Sequence, residues 1–241
     1  MMGNLYLGAY WKQQRLSLRE YIAACKRFLA TLRKLHPAFH ELVFWGRTKD
    51  SAVELTPDLS NLDALILRQG PSENARYSHV GTDGGLTLES ECENGFITIY
   101  SNKPVSDAEK LGITITAGAH SPWLHNAVVI NLPSAVEDFK NYESVKRLLT
   151  ETLACWEAEM AVVSSHAFND RVDEEGSGHA IGWMNWFRDS SVEQALPADV
   201  ERSRLKGGVL VTTTRQAVSA DSQNHVFAAR KIRHSLQSQG F

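Results

Sequence analysis

Four strand-like runs follow one another in the middle of the chain with no helical pattern between them: residues 86–91, 95–101, 111–117 and 127–132. Parallel neighbours need long crossovers, usually helical, so consecutive strands joined by short links must pair antiparallel. Asn94-Gly95 lies between the first two runs, and both residues tolerate positive φ, which predicts a hairpin there. Further strands are expected over 4–11, 41–46, 160–165, 180–187 and 208–213.

Three long segments carry a 3.6-residue apolar period instead. Ser17, with Glu20 three residues on, has capping-box spacing, and Leu18, Ile22, Cys25, Leu29 and Leu32 then recur on one face until His36-Pro37. The segment 138–157 places Val145, Leu148, Leu149, Thr152 and Trp156 together. The segment 222–237, capped by Asp221 or Ser219, turns Ala229, Ile232 and Leu236 inward. A short helix is expected over 58–69, and loops over 70–85 and 170–178. The reading is an α+β protein with a mostly antiparallel sheet. Its three principal helices lie near the N-terminus, the centre and the C-terminus. Residues 1–241 are expected to form a single domain; strand then helix at the start and strands then helix in the middle leave a duplicated half open without demonstrating one.

Composition excludes several classes. Hydrophobic residues are 43% and charged residues 22%, the balance of a folded globular chain. No apolar run is long enough for a transmembrane helix, and the first residues lack the basic-then-apolar order of a secretory signal. Cys25, Cys92 and Cys155 are odd in number and far apart, which indicates neither a disulfide framework nor a zinc site and fits a reducing cytoplasm.

The net charge of -3 conceals segregation. Residues 1–35 hold seven basic side chains against one acidic, and residues 202–241 again seven against one. Residues 137–201 hold fourteen acidic against five basic. The densest acidic runs are Glu89-Ser90-Glu91-Cys92-Glu93 and Asp173-Glu174-Glu175. Alternation places Glu89, Glu91 and Glu93 on one face of a strand, where they repel one another unless a cation relieves them. That cation belongs either to the chain itself or to a basic partner.

Catalytic signatures are weak. HExxH, GxSxG, the P-loop and GxGxxG are all missing from the sequence. Gly176-Ser177-Gly178-His179 lacks the context of a nucleophile elbow. Asp173 with Glu174 reads as a solvated loop rather than an acid–base pair, and His36/His40 and His120/His125 lack supporting carboxylates. No metal or other cofactor is implied. Of six tryptophans, Trp45 and Trp156 fit core positions. Trp183 and Trp186 sit in Gly182-Trp183-Met184-Asn185-Trp186-Phe187, where bulk on both faces means either double-sided burial or a partner-facing surface.

Tyr10-Trp11 with Arg15, the helix ending in Phe28-Leu29 and Leu32, the central Gly182-Trp183 and the closing Gly207-Gly208-Val209 with its helix resemble the immunity protein 52 family of bacterial polymorphic-toxin systems. The resemblance covers nearly the whole chain. It implies a cytoplasmic, non-enzymatic α+β protein that binds and neutralises a cognate toxin, such as a nuclease effector of a type VI secretion system. It implies no direct nucleic-acid or membrane contact. A nuclease presents a basic groove to phosphates, so Glu89, Glu91, Glu93, Asp173, Glu174 and Glu175 are the candidate contact residues, with Trp183 and Trp186 as anchors. The alternatives are a secretion adaptor or chaperone, which needs a broad apolar groove, and an enzyme built on His179 or the His120/His125 loop.

Overall fold

In the computed structural model, residues 4–46, 52–71, 75–103, 106–121, 123–173 and 180–241 are described. The architecture is α+β, built on antiparallel strand pairings. The chain forms two compact units. A central unit comprises Tyr10–Val105 and Lys110–Ile130, and a terminal unit comprises Met1–Ala9, Ser106–Glu109 and Asn131–Phe241.

In the central unit the strand order is β8 (Asn126–Asn131), β7 (Gly112–Ala119), β6 (Asn94–Ser101), β2 (Val43–Trp45) and β3 (Val53–Glu54). The helix α1 (Leu18–Leu35) buries Leu18, Tyr21, Ile22, Cys25, Phe28, Leu29 and Leu32, which includes every apolar position expected from its period. Its capping box is present, with Ser17 accepting from the Glu20 N–H and the Glu20 carboxylate accepting from the Ser17 N–H. Tyr21 fixes α1 on the sheet: its hydroxyl donates to the Ile115 carbonyl at 3.0 Å and lies 2.8 Å from the Thr98 hydroxyl. The short helix α2 (Leu62–Arg68) starts four residues later than the segment expected to be helical.

The Asn94-Gly95 hairpin does not form. The two-residue strand β5 (Glu91–Cys92) pairs with β4 (Tyr77–Ser78), while β6 pairs with β7 from Asn94 onward. Of residues 86–91, only Glu91 is in a strand. Gly95 has φ +77°, as the sequence anticipates, but for a different purpose: a Cβ there would stand 2.7 Å from the Ala119 nitrogen, so the glycine permits close approach of two strands.

The terminal unit has the order β11 (Glu201–Leu205), β12 (Gly208–Thr212), β10 (Met184–Phe187), β9 (Met160–Ser165) and β1 (Leu5–Trp11). The helix α3 (Tyr142–Cys155) buries Val145, Leu148, Leu149, Thr152 and Leu153. Two short helices escaped the sequence reading, α4 (His166–Val172) and α5 (Val192–Ala195). The last helix, α6 (Gln223–Ser238), is capped by Ser222, which accepts from the His225 N–H, and not by Asp221 or Ser219. β11 also escaped, because its sequence Glu-Arg-Ser-Arg-Leu has no apolar alternation. It is an edge strand, where charge guards against further pairing.

The cysteines differ in environment. Cys25 is fully buried, and desolvation pushes its thiol up to about 12; Cys92 is buried and its thiol is also raised by burial. Cys155 is half-buried. The thiolate is the reactive species, so alkylation of the folded protein at pH 8 should label Cys155 first and leave Cys25 unmodified until unfolding. Peptide mass spectrometry across a time course reads this, and early labelling of Cys25 would contradict the packing of α1.

Candidate partner-binding surface

The acidic run of the central unit is placed by the first turn of α1. A helix start leaves N–H groups without partners. Here the Leu18 N–H donates to the Ser90 carbonyl and the Arg19 N–H to the Leu88 carbonyl, both at 2.8 Å. The segment 88–91 therefore lies across the positive end of the helix, a position that suits carboxylates. Ser90 and Cys92 point inward and are buried. Glu89, Glu91 and Glu93 lie toward the surface, but not as one face of a strand: Glu89 and Glu93 stand in turns on either side of β5.

Each of these carboxylates meets an arginine of the chain. Arg19 binds Glu89 at 2.6 Å, Arg15 approaches Glu91 at 3.4 Å, and Arg76 approaches Glu93 at 3.7 Å. The intramolecular outcome anticipated for the segregated charge is thus realised on this ridge. The pairs are surface pairs, worth about 0–1 kcal/mol each. A basic partner can take over a carboxylate at little cost.

Asp173 has a different setting. It caps the end of α4 region and meets Arg233 of α6 at 2.5 Å, with side-chain exposures of only 14% and 12%. Arg233 also donates to the Val172 carbonyl. Asp173 is a structural tie between α4 and α6 rather than a solvated loop acid. Glu174, Glu175 and the Gly176-Ser177-Gly178-His179 segment lie outside the described residues.

Trp183 and Trp186 lie in the core of the terminal unit. Both rings are fully buried, and their indole N–H groups donate to the Thr214 and Leu205 carbonyls at 2.9 and 2.7 Å. Of the two readings of this aromatic segment, the double-sided burial is the one observed. These rings are unavailable as contact anchors while the sheet is intact.

Trp123 is 87% exposed beside the exposed Leu124. It stands in the connection 120–125 between β7 and β8. The sequence signal was an aromatic residue at a turn position between two strands, where apolar bulk has no core to enter. The base of this connection is tightly held. The Glu93 carbonyl accepts from the His120 and Ser121 N–H groups at 3.1 and 3.2 Å, which ties the turn to the acidic ridge. The buried Asn126 side chain accepts from the Ala119 N–H at 2.8 Å and donates to the Lys12 and Ala119 carbonyls at 2.6 and 3.2 Å.

The histidines do local work. His36 Nδ1 accepts from the Ala38 N–H, His40 Nε2 lies 2.9 Å from the Arg33 carbonyl, and His120 Nδ1 lies 3.3 Å from the Gly118 carbonyl. Among the described residues no group of three or more His, Cys, Asp or Glu side chains is placed to hold a metal ion. Among them too, no helix is long and apolar enough to cross a membrane.

Fold and surface together define an α+β protein with an arginine–glutamate ridge, whose Glu93 carbonyl holds the start of the connection after β7. The chain belongs to the immunity protein 52 family, whose model matches residues 3–241. No curated protein matches it. Among solved structures it is similar to the Pseudomonas aeruginosa T6SS protein PA0821, at 11% identity and a TM-score of 0.52, covering 97% of this chain and 72% of that one. That likeness is one of fold.

Proposed function

We propose that this protein is a non-enzymatic immunity factor that binds and neutralises a cognate toxin, and that the toxin is a nuclease effector of a type VI secretion system. The observation that carries the reading is membership of the immunity family along essentially the whole chain. The secretion-system assignment draws support from the fold shared with a T6SS protein. The nuclease assignment draws support from the ridge of Glu89, Glu91 and Glu93. Its carboxylates are held at the surface by weak, exchangeable pairs and can be handed to the basic groups with which a nuclease grips phosphate. The protein acts in the cytoplasm, where such a nuclease meets nucleic acid.

The test begins with reading frames neighbouring the gene in its native host. Each is expressed in a sensitive strain with and without this chain. One frame should kill by degrading nucleic acid, and co-expression should restore growth. A killing frame that leaves nucleic acid intact would remove the nuclease assignment while keeping immunity. Failure of this chain to rescue any toxic neighbour would overturn the reading and favour an adaptor role. Replacing Glu89, Glu91 and Glu93 together by Gln should weaken the purified complex by roughly tenfold, at up to ~1 kcal/mol for each exchanged pair with partial compensation. Unchanged affinity would remove the ridge from the interface.

A further inference from the structure

We infer that β11 is a docking edge, which takes up an extended, carboxylate-bearing segment of a partner protein as an added antiparallel strand. The inference goes beyond the immunity reading and does not depend on it. β11 is the terminal strand of its sheet, and it pairs with β12 without a bulge, Glu201 to Leu205 running opposite Thr212 to Gly208. The link between the two strands is Lys206-Gly207, with φ +47° and +79°, the positive pair of a type I′ turn. Leu205 and Gly208 close that turn as a hydrogen-bonded pair. Bonded pairs alternate along an antiparallel ladder. Leu205, Ser203 and Glu201 therefore turn their N–H and C=O groups toward β12, and Arg204 and Arg202 turn theirs outward. Glu201, Arg202, Ser203 and Arg204 are all exposed. Bulges, prolines, covers and extreme shortness shut an edge to every strand. β11 is regular, exposed and free of proline. Its guard is charge, and charge shuts an edge only to like charge.

That charge selects the occupant. Arg202 and Arg204 alternate with Ser203 and so share one face of the strand. Arg204 meets the Glu193 carboxylate at 2.8 Å, whereas Arg202 reaches the Glu193 carbonyl at 3.4 Å. Two guanidinium groups thus share one carboxylate, and Lys206 adds a cation at the turn. On the other face Glu201 is matched by Arg215 at 2.9 Å. The edge is left net positive. A second copy fits it badly. Within the strand only Arg202 and Arg204 offer outward groups, so a two-fold antiparallel pair must be centred on Arg202, Ser203 or Arg204. Centring on Ser203 sets Arg202 opposite Arg204 twice. Centring on Arg202 sets that residue against its own copy, and centring on Arg204 does the same there and adds Arg202 against Lys206. Each register opposes cations directly, which is destabilising. A foreign strand with Asp or Glu at two alternate positions turns these repulsions into attractions. Carboxylates match the guanidinium fork, and the outward backbone groups of Arg202 and Arg204 supply the strand bonds. The edge is also preformed. β12 is buried along its length, and the Trp186 indole donates to the Leu205 carbonyl at 2.7 Å. Such an edge gives up little freedom on binding.

The probe is a short synthetic peptide of Thr and Val with Glu at two alternate positions, added to the full chain. Amide hydrogen exchange resolved by NMR reads the edge directly. In the free protein the Ser203 N–H should be protected by β12, while the Arg202 and Arg204 N–H groups exchange freely. Peptide at about 1 mM should slow exchange at Arg202 and Arg204 at least tenfold and leave Ser203 within about twofold. Replacing both peptide Glu residues by Lys should weaken binding at least about tenfold. Arg202→Glu with Arg204→Glu should reverse the preference, taking the Lys peptide and refusing the Glu peptide, which a merely misfolded variant would not do. Methylating the edge-facing peptide nitrogens should abolish binding and so separates strand addition from attraction of loose charge. Arg202→Pro removes one outward N–H and no bond to β12, so it should fold as the wild type and weaken binding at least about tenfold. No slowing at Arg202 and Arg204, or equal binding of the Glu and Lys peptides, would overturn the inference. Sedimentation showing self-association that Arg202→Pro abolishes would assign the edge to a second copy instead. None of these readings uses growth rescue, so their failure leaves the immunity reading in place.

Discussion

Gly182→Ala should lower the unfolding free energy of the terminal unit by about 3–5 kcal/mol. A Cβ at Gly182 would stand 2.2 Å from the Val163 carbonyl oxygen and 2.6 Å from the Ser164 Cβ. Neither neighbour is the free end of a flexible side chain. The backbone cannot step aside either. The Gly182 N–H donates to Asn185 Oδ1 at 2.7 Å, and its carbonyl accepts from the Thr213 hydroxyl at 2.6 Å and from the Asn185 amide at 3.2 Å. The next residue, Trp183, donates its own N–H to Val163 at 2.7 Å. Making room for the methyl group breaks at least one of these buried bonds and tilts the largest ring of the core. Urea titration followed by tryptophan emission reads the change, since Trp183 and Trp186 report on this layer. A loss below about 1 kcal/mol would show slack that the hydrogen bonds deny. Gly208 answers to the same logic on the neighbouring strand, where a Cβ would meet the Phe187 carbonyl at 2.3 Å and the Trp186 ring at 2.7 Å. Two of the glycines by which the sequence resembles its family, Gly182 and Gly208, are therefore places where the backbone approaches a neighbouring strand too closely for a side chain, and at Gly208 the neighbour includes the Trp186 indole.

Asp173→Ala should cost about 3–5 kcal/mol through the arginine it abandons. The Arg233 guanidinium is mostly buried, and the Val172 carbonyl would remain as a neutral acceptor for its charge. The penalty belongs to a mostly buried guanidinium with less compensation for its charge, more than to the lost attraction. Asp173→Ala combined with Arg233→Met should accordingly recover most of the stability, because an apolar side chain of similar length can fill the space without desolvating an ion. A double mutant no more stable than Asp173→Ala would show that the guanidinium is needed for packing α4 against α6. On the functional reading, the single variant weakens toxin protection only by lowering the amount of folded protein. The affinity of the folded fraction should remain that of the wild type.

The elements legible in the sequence were those governed by local rules. The capping box at Ser17 and Glu20 and the apolar period of α1 are properties of one segment, and they reappear in the structure position by position. The strand expected over 86–91 reduces to Glu91–Cys92, so the outward placement of Glu89, Glu91 and Glu93 comes from turns on either side of that short strand and not from strand alternation. What each carboxylate meets is a long-range matter: Arg19 lies 70 residues from Glu89, and no pattern along the chain encodes that distance. The tryptophans show the same division. Bulk on both faces of 182–187 was visible, but whether that bulk meets a core or a partner depends on the strands β9 and β12 that flank it. Trp123 was passed over because a turn residue has no periodicity to read. β11 was missed because an edge strand is selected for charge and not for apolar alternation.

On the proposed reading, in which the ridge meets the toxin, the pairing of each carboxylate with an arginine also sets the tempo of protection. Opposite charges a few ångströms apart cancel beyond a Debye length, about 8 Å at physiological salt. A toxin approaching from solution meets almost no pull until it is nearly in contact. Association should then proceed at the ordinary 10⁵–10⁷ M⁻¹s⁻¹ of unsteered proteins, and the complex must owe its security to slow release. A cell defended in this way cannot rely on rapid capture after the attack begins. It has to keep a standing pool of the protein, and the close strand contacts at Gly182 and Gly208 help such a pool persist.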